Sequence, residues 1–190
     1  YLIEKMRSDK SLRELLQMVA LMPMAIPGIV LGLASIFFFN AKGNPLNFFY
    51  ATMAILVVNT IVHFYTVSHL SAITAIKKLD DEFESVSLSL KIPTYKMFFR
   101  VTLPVCLPTV FDIFIYLFCN AMTTVSGVIF LYTYDTTLAS VSAIHLDEQG
   151  DVAGAAAMAM LIVYISFVVR GLHTVISTLL LKRTQAWRNI

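Results

Sequence analysis

Asn59 and His63 stand four residues apart in the apolar stretch FFYATMAILVVNTIVHFYTVS, a spacing that puts both on one helical face. A second apolar stretch carries Asp112, Asn120, Thr123, Thr124 and Ser126. Polar groups in such surroundings do one of two things. They hydrogen-bond across helices, or they line a path for a polar solute. Interhelical bonding is the plainer reading for the Thr and Ser hydroxyls. For Asn59, His63 and Asn120 both readings stay open, and Thr123 and Thr124 are kept beside them as pathway candidates. Arg170 and His173 fall late in a further apolar stretch, where long or amphipathic side chains reach toward the interface.

Catalytic chemistry is not indicated. The chain has no GxxxxGK[ST], so it cannot hold ATP in a phosphate loop, and it has neither HExxH nor GxSxG. His63, His69, His145 and His173 are scattered without paired ligand spacing, so no metal site is expected. Cys106 and Cys119 sit in apolar surroundings and read as small hydrophobes.

The elements that must position these groups are membrane helices. The 190 residues are 58% hydrophobic and 14% charged, whereas soluble domains carry about 25% charged residues. A net charge of +2 gives no reason to expect a nucleic-acid partner. Four runs approach or exceed the roughly 20 residues that cross a bilayer as a helix: 15–39, 48–68, 104–131 and 152–181. No period-two alternation suggests barrel strands.

Charge sets the orientation. Lys5, Arg7, Lys10 and Arg13 precede the first run. Lys77, Lys78, Lys91, Lys96 and Arg100 lie between the second and third, and Lys182, Arg183 and Arg188 follow the fourth. The outer two connections hold only Lys42 and a set of acids. The positive-inside rule then predicts that 1–14, 69–103 and the C-terminus are cytoplasmic. Asp112 lies eight residues past Pro104, about 12 Å along a helix, and reads as a packing or gating group near that side. YLIEKMRSDK is too charged for a signal peptide, and a start at Tyr1 suggests a piece of a longer chain.

The segment 69–103 is not linker-like. Leu79, Phe83, Val86 and Leu90 recur at helical spacing, with Asp80, Asp81 and Glu82 crowding the first turn, where the helix dipole favours acids. Pro93 can open a second helix, with Met97, Val101 and Pro104 on one stripe and Lys96 and Arg100 on another. The expectation is a helical hairpin on the inner surface that can lie on lipid, pack on its own chain or dock on a partner.

This segment resembles the cytoplasmic loop of permease subunits of binding-protein-dependent ABC importers. Their pattern is Glu-Ala-Ala, three residues, Gly, nine residues, Ile-x-Leu-Pro. Val101-Thr102-Leu103-Pro104 fits its end, Lys91 stands at the glycine, and Ser85-Val86-Ser87 stands at Glu-Ala-Ala with Glu84 one place early. MPMAIPGIVLGLA is similar to these permeases' third helix, and the stretch from NAMTTVSGVIFL to GAAAMAM resembles permeases assigned to 2-aminoethylphosphonate uptake, relatives of ferric-iron permeases.

The resemblance implies an all-α, type I importer permease domain with four membrane helices here and two more upstream, in a bacterial inner membrane. It implies a second permease subunit or fused half, ATPase subunits that bind ATP and Mg, and an extracytoplasmic binding protein that meets the acidic loop from Asp135 to Asp151. Phe83, Val86 and Leu90 would then supply contact area to the ATPase and Glu84 a polar anchor, and the chain itself would bind no cofactor. The implied solute is a phosphonate or other phosphorylated compound, with ferric iron next. An ion-gradient-driven secondary transporter is the alternative, and a membrane enzyme a weaker one.

Overall fold

A computed structural model describes residues 10–80 and 82–184, without the side chains of 180–184. The lead-in through residue 9, Asp81 and the last basic side chains, invoked above for orientation and capping, lie outside the described residues. Among the described residues every regular element is helical and none is a strand.

The first apolar run is not one helix. Helix α1 (Lys10–Leu21) ends in a tight turn over Met22–Ala25, and helix α2 (Gly28–Phe39) leaves at 103° to it. The cause is local. Pro23 and Pro27 each lack an amide hydrogen and crowd the preceding turn. Ile26, just before Pro27, is extended at φ −95° and ψ 119°, as a residue before proline prefers. Beside the break, Thr66 Oγ1 donates to the Ala20 carbonyl at 3.2 Å.

The second run is also bent. Helix α3 (Met53–His63) stops at Phe64, and helix α4 (Tyr65–Lys77) continues at 56°. No proline or glycine marks that break. Helix α4 carries the chain nine residues past Ser68, so the connection to the third run is shorter than 69–103. Helix α5 (Glu82–Ser89) and helix α6 (Thr94–Met97) follow.

A wide turn over Phe98–Thr102 joins α6 to helix α7 (Leu103–Thr123) with no gap. There the Leu103 amide reaches back five residues to the Phe98 carbonyl. The widening makes room for Pro104, whose ring would otherwise press on the carbonyl four residues earlier.

The third run also ends early, at Thr123 and not near Leu131. Residues 124–138 form turns before helix α8 (Ala139–Glu148), and helix α9 (Val152–Thr184) closes the described chain. The turns are not loose. Val128 is 0% exposed, and with Leu131 it joins Ile55 and Leu56 of α3 and Val141 of α8 in one cluster. Non-helical backbone at membrane depth is tolerated only when buried in protein or lining a cavity. Here Leu131 and Tyr132 both donate their amides to the Val128 carbonyl.

Thr94–Thr123 and Val152–Leu179 are long and apolar enough to cross a membrane, and counting each bent pair as one span raises the total to four. Along α9 Ile162 is the one buried large apolar side chain among those described, while Met160, Val163, Phe167 and Leu172 face outward. That is the expected condition of a helix whose solvent is lipid.

Candidate functional site

Two places gather the residues singled out by the sequence. The first is the hairpin from α5 to α7. Its bend is a paired-bond helix ending: the Lys91 amide donates to the Leu88 carbonyl at 3.0 Å, and the Ile92 amide donates to the Ser87 carbonyl at 2.9 Å. This closure needs a left-handed residue, and Lys91 supplies it at φ 52°. Lys91 thus adopts the conformation that glycine takes without cost, at the position where the resembling pattern has glycine.

Ser87 is 8% exposed and its Oγ donates to the Ile92 carbonyl at 3.3 Å. A small side chain is required there because it faces the returning arm. Ser85 holds the same helix differently, its carbonyl accepting from Ser89 Oγ at 2.9 Å. Asp80 Oδ1 accepts the Glu82 amide at 3.0 Å and so fastens the start of α5.

The apolar face predicted for this helix is present and uncovered in the chain: Phe83 is partly exposed, Val86 is 55% exposed and Leu90 66%. Glu84 lies beside it in the first turn. Pro93 adopts φ −65° and ψ 141° just before α6 begins at Thr94, one position earlier than the helical opening expected. Leu103 and Pro104 open α7. Motion of the hairpin would therefore enter α7 through the wide turn, not through a linker.

The second place is a polar junction where the breaks meet. Asn59 is 3% exposed; its Nδ2 donates to the Gly127 carbonyl and its Oδ1 accepts from Ser35 Oγ at 3.0 Å. Both ends of the amide are committed within the chain, so Asn59 ties α3 to α2 and to the turn after α7. His63 lies beside it, and its Nδ1 is buried with no hydrogen-bond partner among the described residues. A Cβ on Gly28 would meet Ser126 Oγ at 2.6 Å and the His63 ring at 3.2 Å. One on Gly32 would meet the Gly127 carbonyl at 3.1 Å. Sequence reasoning missed Ser35, Gly28, Gly32 and Gly127; the Gly28-x-x-x-Gly32 spacing, which lets backbones approach closely, was the available signal.

The other pathway candidates separate from this junction. Asn120 donates to the Tyr116 carbonyl at 2.7 Å and Thr123 to the Cys119 carbonyl at 3.1 Å, both within α7. Together with Ser166 and Arg170 they line a cavity of about 360 Å³ between α7 and α9. The Thr124 carbonyl accepts from Ser140 Oγ at 2.7 Å, which fixes α8 to the end of α7.

His173 is packed against α7. Its Nε2 lies 3.1 Å from Asp112 Oδ1 without the angle of a hydrogen bond, so the contact acts as an ion pair when the ring is protonated. On the acidic connection, Tyr132 Oη lies 2.6 Å from His145 Nε2, and Glu148 lies 3.6 Å from the ring's other nitrogen. Among the described residues no cluster of His, Cys, Asp and Glu could hold a metal ion.

Comparison with known proteins gives a consistent set of relatives. A ferric transport system permease protein of Actinobacillus pleuropneumoniae is 26% identical over 159 residues, 84% of this chain and 23% of that protein. An Fe(3+)-transport system permease protein of Haemophilus influenzae is 25% identical over 142 residues, 75% of this chain and 28% of that protein. The chain thus spans about a quarter of the length of these curated relatives.

Its fold matches a chain in the crystal structure of a bacterial ABC transporter involved in the import of the acidic polysaccharide alginate. The TM-score is 0.72 at 16% identity, covering 93% of this chain and 69% of that one. Residues 1–182 match the family described as binding-protein-dependent transport system inner membrane component, and the chain belongs to that family.

Proposed function

We propose that the chain is the permease part of an ATP-driven importer, with the α5–α6 hairpin as the piece that receives force from a separate ATPase. The observation that carries this reading is the hairpin itself. Phe83 and Val86 lie exposed on a short helix and Leu90 just past its end, in a hairpin that is closed by a tight bend and whose second arm runs without a gap into α7. Burying such side chains in a partner's cleft is favourable by about 25 cal/mol per Å² of apolar surface. Glu84 adds a polar anchor beside them. The hairpin and both ends of the chain then face the cytoplasm, and the Asp135–Asp151 connection faces a binding protein on the other side. A second permease subunit or a fused half completes the path, and ATP with Mg belongs to the ATPase.

The solute favoured here is ferric iron, ahead of the phosphonate that the sequence resemblance placed first, because the relatives are named for ferric transport. His63, Asn120, Thr123 and Thr124 are the proposed lining residues. Asn59 serves as the strut that holds them.

The test uses the full-length permease reconstituted with its ATPase and binding protein. Wild type should take up ferric ion only with ATP present, and 2-aminoethylphosphonate poorly. Glu84→Lys combined with Val86→Asp should abolish ATPase assembly and uptake together. Uptake driven by an ion gradient without ATP would overturn the reading.

A further inference from the structure

Between the hairpin and the membrane helices lies a cleft of about 1580 Å³. Four cations line it: Lys78 just past α4, Lys91 at the bend, Lys96 on α6 and Arg100 in the wide turn. None of the four has an ion-pair partner among the described residues. Three acids, Asp80, Glu82 and Asp112, line the cleft too, which leaves one positive charge in excess. Asp80 accepts the Glu82 amide, Glu82 sits in the first turn of α5, where the dipole holds it, and Asp112 faces His173. Beyond the cations the lining is mostly apolar, through Val101 of the wide turn and Val105, Cys106 and Pro108 of α7, with Thr109, Asp112 and Ser177 also reaching it. The cleft is therefore graded, with all four cations at or beside the hairpin and mostly apolar side chains toward a helix able to cross a membrane.

That gradient fits an amphiphilic anion. We propose that the cleft seats the phosphodiester headgroup of an anionic phospholipid, with its acyl chains running along α7. Basic pockets between membrane helices attract such headgroups on charge alone. A free phosphate would gain the same cations but nothing from the apolar wall. A seated headgroup would bridge Lys78 to Lys96 and Arg100, bracing the hairpin against α4. This rests on the hairpin lying at the inner membrane surface, as proposed above.

The experiment is native mass spectrometry of the full-length permease with its ATPase, exposed to equal phosphatidylglycerol and phosphatidylcholine. Wild type should retain the anionic lipid about tenfold over the neutral one. Lys96→Gln with Arg100→Gln should remove that preference, and Lys42→Gln, on the opposite connection, should keep it. Lys96→Gln alone, expected to weaken the preference several-fold, serves if the double variant folds poorly. Equal retention of the two lipids, a preference unchanged by the hairpin variants, or a protein segment cross-linked into the cleft would each overturn the proposal. So would displacement of the lipid by millimolar inorganic phosphate, which would make the site one for a free anion. Cysteine labelling at position 96 in sealed vesicles reads the hairpin's side of the membrane independently, so an error in topology is separable from an error about lipid.

Discussion

At the scale of single residues, Lys91 and Asn59 show how one side chain or one dihedral carries a tertiary arrangement. A left-handed lysine costs about 1 kcal/mol relative to glycine. Lys91→Gly should therefore raise stability by up to about that amount, and Lys91→Val should lower it by about 1–2 kcal/mol, because a β-branched residue tolerates positive φ poorly. Thermal melting of the purified permease checks both, and a destabilised glycine variant would contradict the bend geometry. Asn59→Ala would strip the buried Gly127 carbonyl of its donor, and a buried group left unpaired costs about 1–3 kcal/mol. Denaturation in detergent should show a loss of that size. The sequence made Asn59 conspicuous but left its role open, because its partner is a glycine carbonyl 68 residues away that carries no side-chain signal.

At the scale of elements, proline explains half of the interruptions. Pro23 and Pro27 account for the 103° bend, and Pro104 accounts for the wide turn before α7. The break at Phe64 and the early end of α7 at Thr123 have no such mark. What lies beside them instead is tertiary contact, the Thr66 hydrogen bond to the Ala20 carbonyl and the cluster that holds Val128 and Leu131. Glycines along the elements divide the same way. A Cβ at Gly28 or Gly32 collides with the turn at Ser126–Gly127, whereas nothing lies within 4 Å of one at Gly171. Gly28→Val should cost about 1–3 kcal/mol through overpacking. Gly171→Ala should be neutral or stabilising by up to about 1 kcal/mol. Equal effects at the two sites, measured by melting temperature, would show that the α2 contact with that turn is not close.

At the scale of the whole molecule, the breaks meet around His63 and Ser126, while the hairpin protrudes at the other end of α7. A hairpin that transmits force must tolerate charge poorly on its docking face and well elsewhere. Val86→Asp should cut ATP-dependent uptake at least tenfold, while Lys42→Gln should leave it unchanged; uptake assays with matched protein levels decide. Composition and the spacing of apolar residues sufficed to indicate a helical membrane chain and a helical hairpin, because burial in lipid and helical periodicity are written in local residue types. The bent spans, the buried turn after α7 and the graded cleft were settled only by tertiary packing. Each depends on a carbonyl, a missing Cβ or a charge supplied by a distant segment, and linear spacing does not encode which distant segment arrives.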